Sequence, residues 1–173
     1  MADLGLMHVY TGPGKGKTTA ALGLALRAWG RGLRVCIIQF MKSGEDYGEV
    51  VAIRRLKGID LHQFGSGEFV EMGKHSPEDL RLAGLGLEKA KEALSSGRYD
   101  MVIMDEANVA AHFGLLDPGR VLDVVRSRGK VEVVLTGRNA PAAFLQEADL
   151  VTEMSVVKHP YDSGLGARPG VEY

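Results

Sequence analysis

Four sets of side chains in this sequence have the types and spacing to do chemistry. The first is Thr11-Gly12-Pro13-Gly14-Lys15-Gly16-Lys17-Thr18-Thr19, set between an apolar run and an Ala/Leu-rich run. Strand, glycine loop and helix in that order are the context of a phosphate-binding P-loop. The glycines let backbone N–H groups turn inward, the helix aims its positive end at the same point, and Lys17 and Thr18 supply an ammonium and a hydroxyl suited to Mg2+. The usual pattern opens with Gly where Thr11 stands. The second is Asp105-Glu106 after an apolar strand, a pair able to hold Mg2+ directly or through water beside a P-loop. The third is Arg138, whose planar fork can clamp phosphate. The fourth is the polar, glycine-bearing segment 41–49, a loop at a strand's carboxyl end. The five histidines, 8, 62, 75, 112 and 159, lack metal-ligand spacing.

The elements that must position these groups alternate between strand and helix patterns. Strands are expected at Leu6–Tyr10, Arg34–Phe40, Ile59–Phe64, Asp100–Asp105, Val131–Thr136 and Leu150–Met154. Helices are expected at Lys17–Trp29, with a face of Ala20, Ala21, Leu24, Ala25 and Ala28, at Val50–Lys57, and from Ser76-Pro77 to Gly97, with Leu80, Ala83, Leu87, Ala90 and Leu94 inward. Two more are expected, from Asp117-Pro118 and over Pro141–Glu147. The pattern implies an α/β fold: a mainly parallel six-stranded sheet with helices on both faces and ligands at the carboxyl ends of the strands. The stretch 65–75 reads as a long connection with Phe69 and Val70 exposed, and the tail 155–173 shows little periodicity.

Composition narrows the class. A chain of 173 residues, 45% hydrophobic and 25% charged, fits one globular domain spanning 1–173. A net charge of −1 gives no bulk basic field for nucleic acid. No apolar run is long enough for a bilayer and no secretory leader is evident, so the cytoplasm is expected and a membrane is not. Cys36 is the one cysteine, which excludes an internal disulfide.

Five segments, in order, resemble the P-loop class of ATP:corrinoid adenosyltransferases: TGPGKGKTTAA at 11–21, QFMKSGEDYGE at 39–49, DMVIMDEAN at 100–108, LTGRNAP at 135–141 and VKHPYDSGLGARPGVEY at 157–173. The closing segment, following ADLVTEM, is the most specific. The resemblance implies a P-loop NTPase-like (RecA-like) fold and a reaction in which Co(I) of a reduced corrinoid attacks C5′ of ATP, giving adenosylcobalamin and triphosphate. It implies ATP and a corrinoid (cobalamin or a precursor) as substrates, Mg2+ or Mn2+ as the metal, a flavin-type reductase supplying Co(I), and a homodimer. Residues 11–19, Lys42, Glu49 and Arg138 would then face the nucleotide. Lys17 and Glu106 would be catalytic, Thr18, Glu106 and Asp105 would serve the metal, with Asp105 acting through its neighbours, and Phe69 and Val70 would meet the corrinoid.

Some features depart from the family pattern. The family's aromatic pair near 67–71 is here Gly67-Glu68-Phe69-Val70-Glu71, Arg168 replaces a usual Gln, and the N-terminal segment that covers the corrinoid is expected to be absent. Two other functions use many of the same residues. A P-loop kinase or ATPase would release ADP, with Glu106 orienting the acceptor, and a non-catalytic ATP-dependent corrinoid carrier would release nothing. Under the adenosyltransferase reading, Lys17→Ala abolishes adenosyl transfer while circular dichroism reports an unchanged fold.

Overall fold

The computed structural model describes residues 4–171, with only the backbone described at 162 and 163. Six strands form one sheet: β1 (Met7–Thr11), β2 (Val35–Phe40), β3 (Ile59–Phe64), β4 (Met101–Asp105), β5 (Glu132–Thr136) and β6 (Leu150–Glu153). Their spatial order is β3-β2-β4-β5-β1-β6, and every pairing is parallel. All residues of β2, β4 and β5 are buried, so these strands read as continuous apolar runs instead of alternating ones.

Six α-helices among the described residues cover the two faces of the sheet. On one face α1 (Lys17–Trp29) lays Ala21, Ala25 and Ala28 against Val35, Ile37, Met101, Ile103 and Val134.

 A 3-10 helix, Pro160–Ser163, follows β6 in the chain. The short α2 (Gly48–Ile53) adds Ile53 to the α1 face. The opposite face carries α3 (Pro77–Ser95), α4 (Ala107–His112), α5 (Pro118–Arg126) and α6 (Ala142–Glu147), packed on Cys36, Ile38, Phe40, Val102, Met104, Val133 and Leu135.

The helix starts follow their caps. Ser76 Oγ accepts the Asp79 N–H at 3.1 Å while the Asp79 carboxylate accepts the Ser76 N–H at 2.8 Å, which satisfies two donors that the first turn of α3 leaves open. Asp117 does the same for α5, accepting the Arg120 N–H at 2.8 Å. At the amino ends of the strands, buried Glu132 accepts the N–H groups of Gly5 and Leu6 and lies 2.7 Å from His8 Nε2, which ties the start of β1 to β5.

The structure corrects several sequence expectations. Ala20 is exposed and Leu80 is 43% exposed, so the inner face of α3 runs instead through Ala83, Gly86, Leu87, Ala90, Ala93 and Leu94. Helix α4 was not expected at all; six residues are too few for a periodic signal, and its cap, Glu106, makes no side-chain capping bond. β6 is an edge strand exposed along its whole length.

Gly86 sets how closely α3 approaches the sheet. A Cβ there would stand 2.7 Å from Phe40 Cε1 and 3.2 Å from Phe64 Cδ2. Gly86→Val is therefore expected to destabilise the protein by about 1–3 kcal/mol, read as a lower urea midpoint.

Candidate nucleotide and substrate site

The carboxyl ends of β1, β2, β4 and β5 bring the sequence-predicted groups into one cleft of about 680 Å³. One wall is the loop from Gly14 to Thr19, facing Lys42, Glu49, Glu106 and Arg138. The other is apolar and includes Leu22, Met41, Val70, Val109 and Phe113. Thr11, Gly12 and Pro13 do not line it. They form the base of the loop, where buried Thr11 accepts the Ala140 N–H.

The loop is held from two sides. Gly14 N–H donates to the Met154 carbonyl at 2.6 Å, and a Cβ on Gly12 or Gly14 would fall within 2.6 Å of that same oxygen. These two glycines are thus required by the close approach of the chain leaving β6. From inside, the Lys17 ammonium donates to the carbonyls of Gly12 at 2.8 Å and Gly14 at 2.5 Å. Burial lowers the Lys17 pKa, Arg138 lowers it further, and Glu106 opposes both. Gly16, at φ 112°, caps α1 without a side-chain bond, so the amino end of the helix is open to an anion.

Asp105 does not line the cleft; only 1% exposed, it lies behind the lining and is bonded to Thr18 and Lys42, which do. Its Oδ1 accepts from Thr18 Oγ1 at 2.8 Å and Thr136 Oγ1 at 2.6 Å. Its Oδ2 accepts from Lys42 Nζ at 2.9 Å and Gln39 Nε2 at 3.2 Å. Gln39 also reaches toward Glu49 at 3.5 Å and accepts from Gln63 Nε2 at 3.0 Å, so a polar chain crosses from β3 through β2 to β4. Burial opposes the charged form of Lys42, but Asp105, by charge and hydrogen bond, together with Glu106 and Glu49, raises its pKa overall. Burial raises the Glu106 pKa and Asp105 adds to it, while Lys42, Lys17 and Arg138 pull it down.

Among the described residues three non-glycine ones adopt positive φ, Met41 at 56°, Glu106 at 61° and Asn139 at 54°. Each lies just beyond the end of β2, β4 or β5, at a conformational cost of roughly 1–2 kcal/mol per residue. The Glu106 N–H is fixed by Thr136 Oγ1 at 3.1 Å. Fully buried Asn108 donates to the carbonyls of Tyr10 and Gly137, joining the bases of the two loops that carry Lys17 and Arg138.

Phe69 and Val70 separate. Phe69 is 91% exposed, whereas Val70, expected to be exposed, is 7% exposed and packs into the core while touching the cleft. The tail arrives from the far side: Gly170 and Val171 line the cleft, and Lys15 Nζ donates to the Val171 carbonyl at 3.4 Å. His159 accepts the Tyr161 N–H and caps the 3-10 helix. Glu172 and Tyr173, the end of the tail segment, lie outside the described residues.

Gln39, Thr136, Asn108 and Phe113 were not anticipated as site residues. A glutamine inside the apolar run RVCIIQF was the available signal for the first, because a buried amide requires partners. Thr136→Val would strip a donor from Asp105 and an acceptor from the Glu106 N–H. The expected outcome is a loss of about 1–3 kcal/mol in stability and a drop in turnover of about 10–100-fold, measured by urea unfolding and steady-state assay.

Comparison with known proteins agrees with this geometry. The family model described as "ATP:corrinoid adenosyltransferase BtuR/CobO/CobP" matches residues 3–173. A corrinoid adenosyltransferase of Pseudomonas aeruginosa is 36% identical over 173 residues, covering 99% of this chain and 85% of that protein. One from Sinorhizobium sp is 38% identical over 176 residues, covering 99% and 81%. One from Escherichia coli strain K12 is 33% identical over 172 residues, covering 99% and 87%. With a matching family model along almost its whole length and a P-loop cleft at its sheet's carboxyl edge, the chain belongs to the ATP:corrinoid adenosyltransferase family.

Proposed function

We propose that this protein, a single domain, joins the adenosyl group of ATP to a reduced corrinoid: Co(I) attacks C5′, the C5′–O bond breaks, and the electron pair leaves with triphosphate. The observation that carries this reading is the composition of the cleft. It pairs cationic groups and a glycine loop with apolar side chains, and among the described residues its lining contains no His, Ser or Cys. A reaction whose nucleophile arrives on the substrate needs none of them.

In this reading the protein stabilises the leaving group and aligns the partners. Lys17 and the open amino end of α1 take up the charge that develops on the triphosphate, with Lys15 and Arg138 beside them. Lys42 and Glu49 face the nucleotide. Val70 and Phe113, with Phe69 at the rim, offer apolar surface to the corrinoid.

The residues also suit a divalent ion, Mg2+ or Mn2+. Thr18 spends its hydroxyl proton on Asp105, which leaves its oxygen lone pairs as ligands, and the half-buried Glu106 lines the same cleft. Asp105 then acts by orienting Thr18. When bound, the ion neutralises charge on the departing triphosphate. Among the described residues no three His, Cys, Asp or Glu side chains are grouped to hold a metal alone, consistent with an ion whose other ligands are phosphate oxygens.

The same reading makes the protein a cytoplasmic homodimer that accepts cobalamin or a precursor and receives Co(I) through a flavin-type reductase. Its support is family membership, together with the absence of a helix long and apolar enough to cross a membrane among the described residues.

The test is an anaerobic mixture of protein, ATP, Mg2+ and chemically reduced cobalamin, followed by the corrinoid spectrum and the phosphate product. Adenosylcobalamin with triphosphate is expected. ADP with no cobalt–carbon bond would overturn the reading in favour of phosphoryl transfer, and ATP binding without turnover would favour a carrier.

A further inference from the structure

We infer that Lys42 is an exchangeable counter-ion: its ammonium holds the place beside Asp105 and Glu49 that would otherwise attract a divalent cation, so the metal is admitted only together with the triphosphate. This rests on the metal–nucleotide reading above and adds to it an order of events.

The geometry is specific. Lys42 Nζ lies 2.9 Å from Asp105 Oδ2 and 3.9 Å from Glu49 Oε1. With Thr18 and Thr136 on Oδ1, and Gln39 and Lys42 on Oδ2, Asp105 accepts four hydrogen bonds, the full capacity of a carboxylate. A cation approaching Asp105 must therefore displace a donor. Thr18, Gln39 and Thr136 belong to regular elements, whereas Lys42 follows β2 on the positive-φ residue Met41 and reaches Asp105 on a flexible four-carbon stem. Its side chain keeps 21% exposure and lines the cleft, so it can turn toward a phosphate without unfolding anything.

Charge points the same way. The cleft lining sets Lys15, Lys17, Lys42 and Arg138 against Glu49, Glu68 and Glu106, with Asp105 behind it on Lys42. A divalent cation entering this balanced group meets nearby ammonium repulsion. The triphosphate changes that balance by bringing its own negative charge, and it gives Lys42 a new acceptor as it leaves Asp105. Selectivity against the free ion thus comes from a built-in competitor.

The test uses the full chain and Mn2+ as probe, with protein-bound metal read by equilibrium dialysis as the Mn2+ retained on the protein side above a protein-free control containing the same ATP. Wild type is expected to retain Mn2+ only after ATP is added. Lys42→Met and Lys42→Gln are expected to bind Mn2+ without ATP at least about tenfold more tightly than wild type, while Lys42→Arg, which keeps the charge, stays like wild type; circular dichroism checks each fold. If wild type holds Mn2+ with ATP but neither neutral variant gains affinity without it, the inference fails and the metal–nucleotide reading stands. The inference also fails if Lys42→Arg gains affinity like the neutral variants, or if wild type binds Mn2+ tightly without ATP. If wild type does not hold Mn2+ even with ATP, both readings fall.

Discussion

The site depends on one buried carboxylate. Asp105 ends the central strand β4 and accepts bonds from α1 through Thr18, from β2 through Gln39, from the segment after β2 through Lys42, and from β5 through Thr136. An ionised group this deep is tolerated only if its bonding capacity is met and a counter-charge stands near. Meeting both conditions draws the ends of three adjacent strands and the first turn of α1 to a common point. The site's geometry is therefore a by-product of solvating one charge without water.

The frame around that point was legible in the sequence because its signals are local. Glycines and Lys17 between an apolar run and an alanine-rich one leave few alternatives, and the capped start Ser76-Pro77-Glu78-Asp79 marks α3 unambiguously. Continuous apolar runs gave the central strands, because both of their faces are covered. What escaped is what only the folded chain brings together. Thr136 and Gln39 are separated from Asp105 by 31 and 66 positions. Val70 differs little in type from an exposed loop residue, and its burial depends on the core beneath it. Helix α4 is too short to carry a period.

The two walls of the cleft divide the labour that the family's reaction demands. The polar wall is built from groups already engaged with one another, Lys17 with loop carbonyls and Lys42 with Asp105. These contacts keep the charges desolvated and in place, so a ligand exchanges partners with them instead of ordering them from a mobile state. The apolar wall has no such internal partners, and Phe69 stands almost wholly in solvent. Under the proposed reaction, recognition of charge is thus preorganised and the apolar contact is completed at an exposed rim.

The support of the phosphate loop by the strand leaving β6 has a mechanical consequence. Gly14 leans on Met154, Met154 is reached from β6, and β6 is paired on one side only, to β1, with all four of its residues exposed. Edge elements with little burial are the first to open in native-state fluctuations. Fraying of this rim therefore releases the loop's outer brace while the central strands stay closed, and the glycine loop inherits the breathing rate of the least protected strand in the sheet.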